Sequence, residues 1–303
     1  MPESSSGPRG IESFPLPDSR IASGFTADVF ALEGEGQMTD RVLKLFHPWV
    51  ERAAVEREFN RTRALHAAGA PCVATYEVVQ VENRYGIVFE RIHGDSMVTK
   101  VAKKPWTLFS AARRLAELHA AIHQRAAPPE LPHQREQLER RILDAEGFRE
   151  DEKQRVLEHI AGRTPDSAVE RLCHGDFHPG NILFNEKAED RPVIIDWSAA
   201  TRGNPLADVA RTSVLFEQAE IPSFVPLRIR IIMKFARRLL HRHYLYSYLQ
   251  LRPGSTIDEI EFWRVPQRFA GAAWLAARRR AMAKSTSSRR ELRPGEKCDA
   301  ELS

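Results

Sequence analysis

The fold is decided by the stretch Cys173-His174-Gly175-Asp176-Phe177-His178-Pro179-Gly180-Asn181-Ile182-Leu183-Phe184, which is followed by Val193-Ile194-Ile195-Asp196-Trp197. Pro179 and Gly180 fit a loop that turns sharply. The apolar runs 182–184 and 193–195 predict two short strands that pair as a hairpin. Such pairing brings Asp196 back beside Asn181, although the two residues are well separated in the chain.

This grouping of side chains suits phosphoryl transfer. The reaction needs a carboxylate that orients the attacking hydroxyl and takes its proton, and oxygen ligands for the magnesium that bridges the phosphates. Asp176 suits the first task, and Asn181 and Asp196 suit the second. Two carboxylates about 4 Å apart repel by roughly 4 kcal/mol at an effective dielectric of 20, so a divalent cation is expected near them. Hard oxygen ligands select Mg²⁺ and not zinc.

The order His174-Gly175-Asp176, then Asn181, then a strand ending in Asp196 resembles the catalytic motif of aminoglycoside phosphotransferases. That broad family shares the protein-kinase-like fold with choline kinases. The resemblance implies that Asp176 is the catalytic base and that Asn181 and Asp196 are the magnesium ligands. It further implies ATP as phosphate donor and a small-molecule hydroxyl as acceptor. By the same likeness, Asp208 braces the catalytic loop and does not react.

The same resemblance extends to the N-terminal part of the chain. Lys44 lies in the apolar run 42–46 and resembles the strand lysine that touches the α- and β-phosphates of ATP. Its expected partner is a glutamate on the next helix, for which Glu58 fits best and Glu56 remains possible.

Two further segments are assigned to nucleotide binding by this likeness. Ser23 and Gly24 occupy the turn expected to cover the phosphates, although one glycine there departs from the Gly-x-Gly-x-x-Gly loop of protein kinases. Glu90 and Ile92 belong to the connector whose backbone is expected to hydrogen-bond adenine.

The pattern of the whole chain predicts an α+β, bilobal, protein-kinase-like fold. Short β-type runs dominate residues 18–92, with one helix at 51–67, and predict a small antiparallel N-terminal sheet that binds nucleotide. Residues 93–283 read as a larger, mainly helical C-terminal lobe for catalysis and substrate binding. The segments 1–17 and 284–303 are rich in Ser, Pro, Gly or charge and are predicted to be disordered, the second as a basic tail. Helices are predicted at 108–122, 138–148, 152–161, 206–217, 226–251 and 257–282.

Composition limits the function classes. No apolar run approaches the roughly 20 residues that span a bilayer, and the N-terminus lacks the pattern of a secretory signal. The three cysteines fit neither a disulfide framework nor a zinc site. We therefore expect a cytoplasmic protein with no membrane partner. Residues 221–303 carry 17 Lys/Arg against 7 Asp/Glu, but no nucleic-acid-binding motif accompanies them, so no nucleic-acid partner is expected.

Two alternatives remain beside the small-molecule kinase. A nucleotide-binding pseudokinase or regulatory adaptor on the same fold is one, although the complete set of candidate residues speaks against it. A protein kinase is the other; it is disfavoured by His178, which stands where protein kinases usually carry lysine. Few acids occur between residues 221 and 280, which argues against a polycationic aminoglycoside as acceptor. The identity of the acceptor, the preference for ATP over GTP and the oligomeric state do not follow from the sequence.

Overall fold

The computed structural model describes residues 20–34, 37–162, 170–186, 188–218, 221 and 225–291. The predicted disordered segment 1–17 and the last residues, 292–303, lie outside this part of the chain. Within it, no helix is long and apolar enough to cross a membrane.

The N-terminal lobe is an antiparallel sheet of five strands with one helix against it. The strands follow the order β1-β2-β3-β5-β4. Their bounds are β1 Arg20–Ser23, β2 Ala27–Gly34, β3 Gln37–Phe46, β4 Thr75–Val81 and β5 Arg84–Glu90, and α1 spans Arg52–Ala67 between β3 and β4. Both the sheet and the single helix agree with the fold class predicted from sequence.

Strand alternation gives this sheet two different faces. Leu43 and Leu45 of β3 are fully buried in an apolar cluster on one face. Phe46 and the α1 residue Val55 belong to a second cluster, on the face that also carries Lys44. The sequence anticipated inward positions at Ala54, Phe59, Thr62 and Leu65 of α1; the last two are buried, whereas Ala54 and Phe59 are half-buried and Val55 and Glu58 are buried in their place.

The C-terminal lobe is a helical bundle around one large apolar core. Its helices are α2 Met97–Lys103, α3 Leu108–Ile122, α4 Gln134–Leu143, α5 Glu150–Ala161, α6 Pro205–Gln218, α7 Leu227–Leu251 and α8 Ile257–Glu291. In this core α3 packs against α7, and α6 packs against α8.

The last helix passes the predicted start of the C-terminal tail at residue 284. Ala and Arg, which dominate positions 276–284, are strong helix formers, and they carry α8 through to Glu291. The Ser-rich composition after residue 284 was therefore a poor indicator of where helical structure ends.

Two small ladders hold the segments that carry the motif residues. The strands β7 Ile182–Asn185 and β8 Ala188–Ile194 pair antiparallel, with Ile182 opposite Ile194, which confirms the predicted hairpin. The strands β6 Arg171–Cys173 and β9 Thr201–Gly203 form a second ladder that the sequence did not predict. Residues 174–181 follow β6 and residues 195–200 precede β9, so both loops are fixed at both ends.

Candidate active site

Lys44 lies between two carboxylates at the boundary of the lobes. Its Nζ is 2.7 Å from Glu58 Oε1 and 3.2 Å from Asp196 Oδ1. The predicted partner Glu58 is therefore in place, whereas Glu56 pairs with Arg52 on the helix surface. Burial opposes the charge on Lys44, but Glu58 and Asp196 outweigh it and raise the pKa of the ammonium. The contact joins β3, α1 and the segment after β8.

Asp196 is held in an uncommon backbone conformation that points it into the cleft. Its φ of 61° lies in the left-handed region, which is rare for a residue with a side chain and is often found at functional sites. Burial raises the pKa of this carboxyl, yet Lys44 and a hydrogen bond with Ser198 lower it to about 2 overall. The side chain remains 36 % exposed and ionised, in position to meet a ligand.

Asp176 and Asn181 stand together at the two ends of a short turn, residues 176–181. Asn181 Nδ2 donates to the backbone carbonyl of Asp176 at 2.9 Å and lies 3.5 Å from Oδ2 of the same residue. The Ile195 N–H donates to the Asn181 carbonyl at 2.9 Å, which ties this turn to the segment that carries Asp196. The structure thus gathers Lys44, Asp176, Asn181 and Asp196 along one cleft.

Asn181 and Asp196 offer the donor set that a magnesium ion requires. Because the Asn181 amide N–H group faces Asp176, its carbonyl oxygen points elsewhere, and no hydrogen-bond donor among the described residues contacts it. An ionised carboxylate and a free amide oxygen are both hard ligands that suit Mg²⁺. The residues present therefore fit the ion.

The loop of residues 174–181 is fixed from beneath by Asp208 of α6, which is completely buried. Its two carboxylate oxygens accept hydrogen bonds from the backbone N–H groups of His174, at 2.6 Å, and Gly175, at 2.8 Å. Gly175 is required here because its φ is +78° and an added Cβ would lie 2.3 Å from the Ala199 carbonyl oxygen. Asp208 thus braces the loop, as expected.

Two buried histidines of α3 complete the shell around Asp208, and the sequence did not single them out. His119 Nε2 and His123 Nε2 lie 3.1 Å and 3.2 Å from Asp208 Oδ2. Each histidine's Nδ1 accepts from a tyrosine of α7, Tyr244 for His119 and Tyr248 for His123. Asp208 therefore receives four N–H donors, a set that keeps a buried carboxylate ionised and holds its pKa well below the ordinary value despite burial.

His119, His123 and Asp208 are also close enough to one another to hold a metal ion. Hydrogen bonding accounts for their geometry more simply, because each Nε2 is at hydrogen-bond distance from a carboxylate that already accepts two backbone N–H groups. Burial lowers the pKa of His119 to about 3 with the help of neighbouring His123, so a neutral ring with its proton on Nε2 satisfies the cluster. The signal in the sequence was the repeated four-residue spacing of His119/His123 and Tyr244/Tyr248.

The N-terminal residues predicted to bind nucleotide lie at the turn after β1 and at the end of β5. Ser23 Oγ donates to Asp28 at 2.8 Å, and the Gly24 N–H donates to the Ala27 carbonyl, which closes the turn. The Glu90 carboxylate accepts from the Ala74 N–H at 3.2 Å, and the Glu90 N–H donates to the Ala74 carbonyl at 3.0 Å. Ile92 packs against the apolar cluster of the sheet, which Val193 and Ile195 of the other lobe also join.

Several arginines line two cavities next to the segments that carry Asp176 and Asp196, and the sequence did not identify these arginines. A cleft of ≈ 380 Å³ opens between α1, α4 and the segment after Asp196, which is large enough for a small molecule. Arg57, Arg61, Arg140 and Arg141 line it. A smaller cavity beneath the catalytic loop shares Arg141 with the cleft and adds Arg211 of α6.

A five-stranded sheet with one helix, joined to a helical lobe at a cleft of this composition, defines a protein-kinase-like fold. The sequence profile described as the phosphotransferase enzyme family matches residues 19–232. The chain belongs to this family.

Solved structures with the same fold include an aminoglycoside-3'-phosphotransferase of type VIII. It is 20 % identical, with a TM-score of 0.54 over 83 % of this chain and 92 % of that one. A choline/ethanolamine kinase family protein from Mesorhizobium loti is 15 % identical, with a TM-score of 0.53 over 86 % and 81 % of the two chains. A Streptomyces rimosus aminoglycoside phosphotransferase, solved with ADP and streptomycin, is 17 % identical, with a TM-score of 0.52 over 80 % and 90 %. At these identities the similarity concerns the fold alone.

Curated relatives are much longer proteins. Acyl-CoA dehydrogenase family member 10 of Mus musculus is 23 % identical over 190 residues, which are 57 % of this chain and 18 % of the mouse protein. Acyl-CoA dehydrogenase family member 11 of Gallus gallus is 26 % identical over 208 residues, 63 % of this chain and 27 % of the chicken protein. The match thus spans about a quarter or less of these relatives.

Proposed function

We propose that the protein transfers the γ-phosphate of ATP to a hydroxyl group of a small molecule. The observation that carries this proposal is the convergence of Lys44, Asp176, Asn181 and Asp196 on one cleft between the lobes. Membership of the phosphotransferase family supports the reaction class. The same complete set of side chains counts against a pseudokinase or regulatory adaptor, which has no need to keep them all.

The nucleotide site is proposed between the sheet and the segment that precedes Asp196. Val42, Ile92 and Ile195 supply an apolar surface on which an adenine ring can pack. The Ile92 N–H has no hydrogen-bond partner among the described residues, so it is available to a ring nitrogen. Lys44, with its charge fixed by Glu58, is the proposed contact to the α- and β-phosphates. A structural neighbour solved with ADP supports nucleotide binding by this fold.

Magnesium is proposed to bind at Asn181 and Asp196. Bound there, the ion would neutralise phosphate charge and hold the triphosphate in line for attack. Asp196 is already ionised for this role, because Lys44 and a hydrogen bond with Ser198 lower its pKa.

Asp176 is the proposed catalytic base. Its side chain is 30 % exposed, so an acceptor can reach it. The acceptor oxygen forms a bond to the γ-phosphorus while the bond from that phosphorus to the β–γ bridging oxygen breaks. The hydroxyl proton passes to the Asp176 carboxylate, and ADP leaves with the electron pair of the broken bond. Asn181 fixes Asp176 for this step through the carbonyl contact.

The first test is Asp176→Asn, assayed by magnesium-dependent ADP release across a panel of hydroxyl compounds and by titration with ATP. We expect turnover to fall by roughly 10²–10⁴-fold, the usual contribution of general-base assistance, while ATP affinity stays the same. Asp151→Asn is the matched control, because Asp151 lies on the exposed surface of α5 and pairs with Arg155. Full turnover by Asp176→Asn would contradict the assignment. ATP binding without ADP release for any acceptor would favour the adaptor.

A further inference from the structure

The arginines that line the cleft and the smaller cavity lack the acidic partners that several other arginines of this protein have. Arg52, Arg113 and Arg135 each pair with a glutamate four residues later on the same helix. Within the described residues, none of the five cleft arginines, Arg57, Arg61, Arg140, Arg141 and Arg211, forms an ion pair with a carboxylate. Unpaired guanidinium groups gathered in two cavities that share Arg141 are expected to bind an anion.

Two of these arginines are fixed against the loops that carry the catalytic side chains. Arg61 of α1 donates to the carbonyl of Ser198, two residues after Asp196. Arg211 Nε lies 3.4 Å from the carbonyl of Gly175, directly before Asp176. The backbone contacts hold these guanidinium groups in place without neutralising them.

Arg141 of α4 stands between them and has no hydrogen-bond or ion-pair partner among the described residues. Its side chain is open to solvent in the cleft, yet surrounding protein and the nearby charge of Arg211 lower its pKa to about 10, against the pull of Asp176. Arg211 is half-buried. Burial lowers the pKa of its guanidinium group, and the nearby Asp176 carboxylate raises it in part. The two guanidinium groups therefore repel each other close to the catalytic carboxylate.

The carboxylates of the same cleft are already engaged. Glu58 is paired with Lys44, and Asp208 accepts four N–H groups. Of the acids that line the two cavities, this leaves Asp144 for a cation, against several unpaired arginines. A polycationic acceptor would meet repulsion here, whereas an anionic acceptor would relieve it.

We propose that Arg141 and Arg211, assisted by Arg61, bind an anionic group of the phosphate acceptor, which is therefore a hydroxyl compound carrying a carboxylate or a phosphate. This inference rests on the proposed function, since it assigns the substrate class of the same site. The position of the arginines fits the acceptor better than the nucleotide, because the connector residues Glu90 and Ile92 line neither cavity. An anchored anion would hold a hydroxyl of the same molecule near Asp176.

The test measures binding to the full-length chain loaded with magnesium and ADP, by calorimetric titration. The probes are short- and medium-chain hydroxy acids, each matched by a diol, the phosphate monoester of that diol and an amino alcohol of equal length. We expect the hydroxy acid or the phosphate monoester to bind most tightly, and the better of the two identifies the anionic group. Tighter or equal binding of the diols or amino alcohols, or no binding of any anionic probe, would overturn the proposal.

Variants locate the anion. Arg141→Gln is expected to lower the affinity for the preferred anionic probe by roughly 10- to 100-fold, the usual loss for a hydrogen bond to a charged group. Arg141→Lys is expected to recover part of this affinity. Arg135→Gln, on the same helix but paired with Glu139, should change nothing. The probe should bind equally tightly when a non-hydrolysable ATP analogue replaces ADP; if the analogue displaces the probe, the anion occupies the γ-phosphate position and the proposal is wrong.

The titration is independent of turnover, so it separates this inference from the proposed function. If the wild-type chain releases no ADP with any acceptor, the phosphotransferase proposal fails, and the anion preference is still decided by binding. If turnover is found, Arg141→Gln should raise the KM of the anionic acceptor and leave the KM of ATP unchanged. An unchanged acceptor KM would overturn the role of Arg141 alone.

Discussion

At the scale of single residues, Lys44 illustrates how position decides between chemically equal candidates. Glu56 and Glu58 lie on the same turn of α1 and were both possible partners from sequence. Glu58 is buried and reaches Lys44, whereas Glu56 faces solvent and pairs with Arg52. The buried pair fixes the ammonium, and an exposed helix pair contributes only about 0.3–0.5 kcal/mol.

This difference makes the two glutamates a matched test. Glu58→Gln removes the negative charge that pairs with Lys44 and leaves Asp196 as the remaining carboxylate partner. The ammonium is then drawn toward Asp196, the proposed magnesium ligand. We expect kcat/KM for ATP to fall by at least roughly tenfold, the equivalent of about 1.4 kcal/mol. Glu56→Gln, two residues away, should change it by less than about twofold. Equal effects in steady-state ADP release would show that the Lys44 contact has no part in nucleotide use.

Residues of the catalytic loop were predictable because they are local in sequence. Asp176 and Asn181 share one turn, and a short hairpin returns Asp196 to them. The cleft arginines were not predictable, because Arg61, Arg141 and Arg211 come from three helices. In the sequence each looks like an ordinary helix-surface arginine, and only the folded structure brings them together at the cavities.

At the scale of elements, Asp208 joins three helices and the catalytic loop at one buried point. Asp208 belongs to α6 and accepts hydrogen bonds from His119 and His123 of α3. His119 in turn accepts a hydrogen bond from Tyr244 of α7. The sequence predicted α3 and α6 from their apolar periodicity, but it could not place a polar group in that core.

Short elements were missed for a physical reason. The three-residue strands β6 and β9 and the seven-residue helix α2 are too short to show a clear period, and tertiary contacts define them. Boundaries moved as well: α4 begins at Gln134 and not at 138, because its first turn is polar.

The histidine cluster predicts a pH dependence of stability. Burial lowers the pKa of His119 from 6.5 to about 3, so this ring takes up a proton near pH 6 in the unfolded chain but not in the folded one. The contribution of the neutral His119 ring to the unfolding free energy is complete above pH 6.5 and is lost as pH falls toward 3. The loss is about 1.4 kcal/mol per pH unit for one such group. Burial also lowers the pKa of His123, which adds in the same direction.

Denaturant unfolding at pH 7 and pH 5 checks this expectation. In the parent chain the unfolding free energy should be lower at pH 5 than at pH 7. In His119→Gln this difference should be smaller, because one titrating group has been removed. Tyr244→Phe serves as control, since it removes one hydrogen bond to His119 and costs about 1 kcal/mol at either pH while the ring stays buried. If His119→Gln and the parent chain show the same pH dependence, the ring is not the group that titrates.

At the scale of the whole molecule, the two lobes meet at a few contacts that surround the cleft. Lys44 reaches Asp196 across it, and the Ile194 N–H donates to the Pro71 carbonyl at 2.7 Å. At the outer edge, the ring of Phe25 from the turn after β1 lies 5.6 Å from that of Trp274 on α8. The change from strand to helix pattern near residue 92 predicted the two lobes, but interlobe contacts of this kind leave no trace in periodicity.

A ligand that binds across this boundary should stabilise the whole chain. Any ligand that binds only the folded state adds RT ln(1 + [L]/Kd), which is about 2.7 kcal/mol at a concentration 100 times Kd. Magnesium with ADP should therefore raise the unfolding free energy by about that amount in the parent chain. ADP with a chelator should give less, because Asn181 and Asp196 then have no ion to share with the phosphates.

Lys44→Met should lose most of this gain even at the same ligand concentration. The comparison is made within each variant, with and without magnesium and ADP, because removing Lys44 also leaves the buried carboxylate of Glu58 unpaired and destabilises the free protein. Lys103→Met is the matched control, since Lys103 is an exposed lysine that pairs with Asp95 and lines neither cavity. An equal ligand-induced gain in Lys44→Met and Lys103→Met would mean that the nucleotide binds away from the lobe boundary. The meeting of Lys44, Asn181 and Asp196 would then have to serve some other ligand.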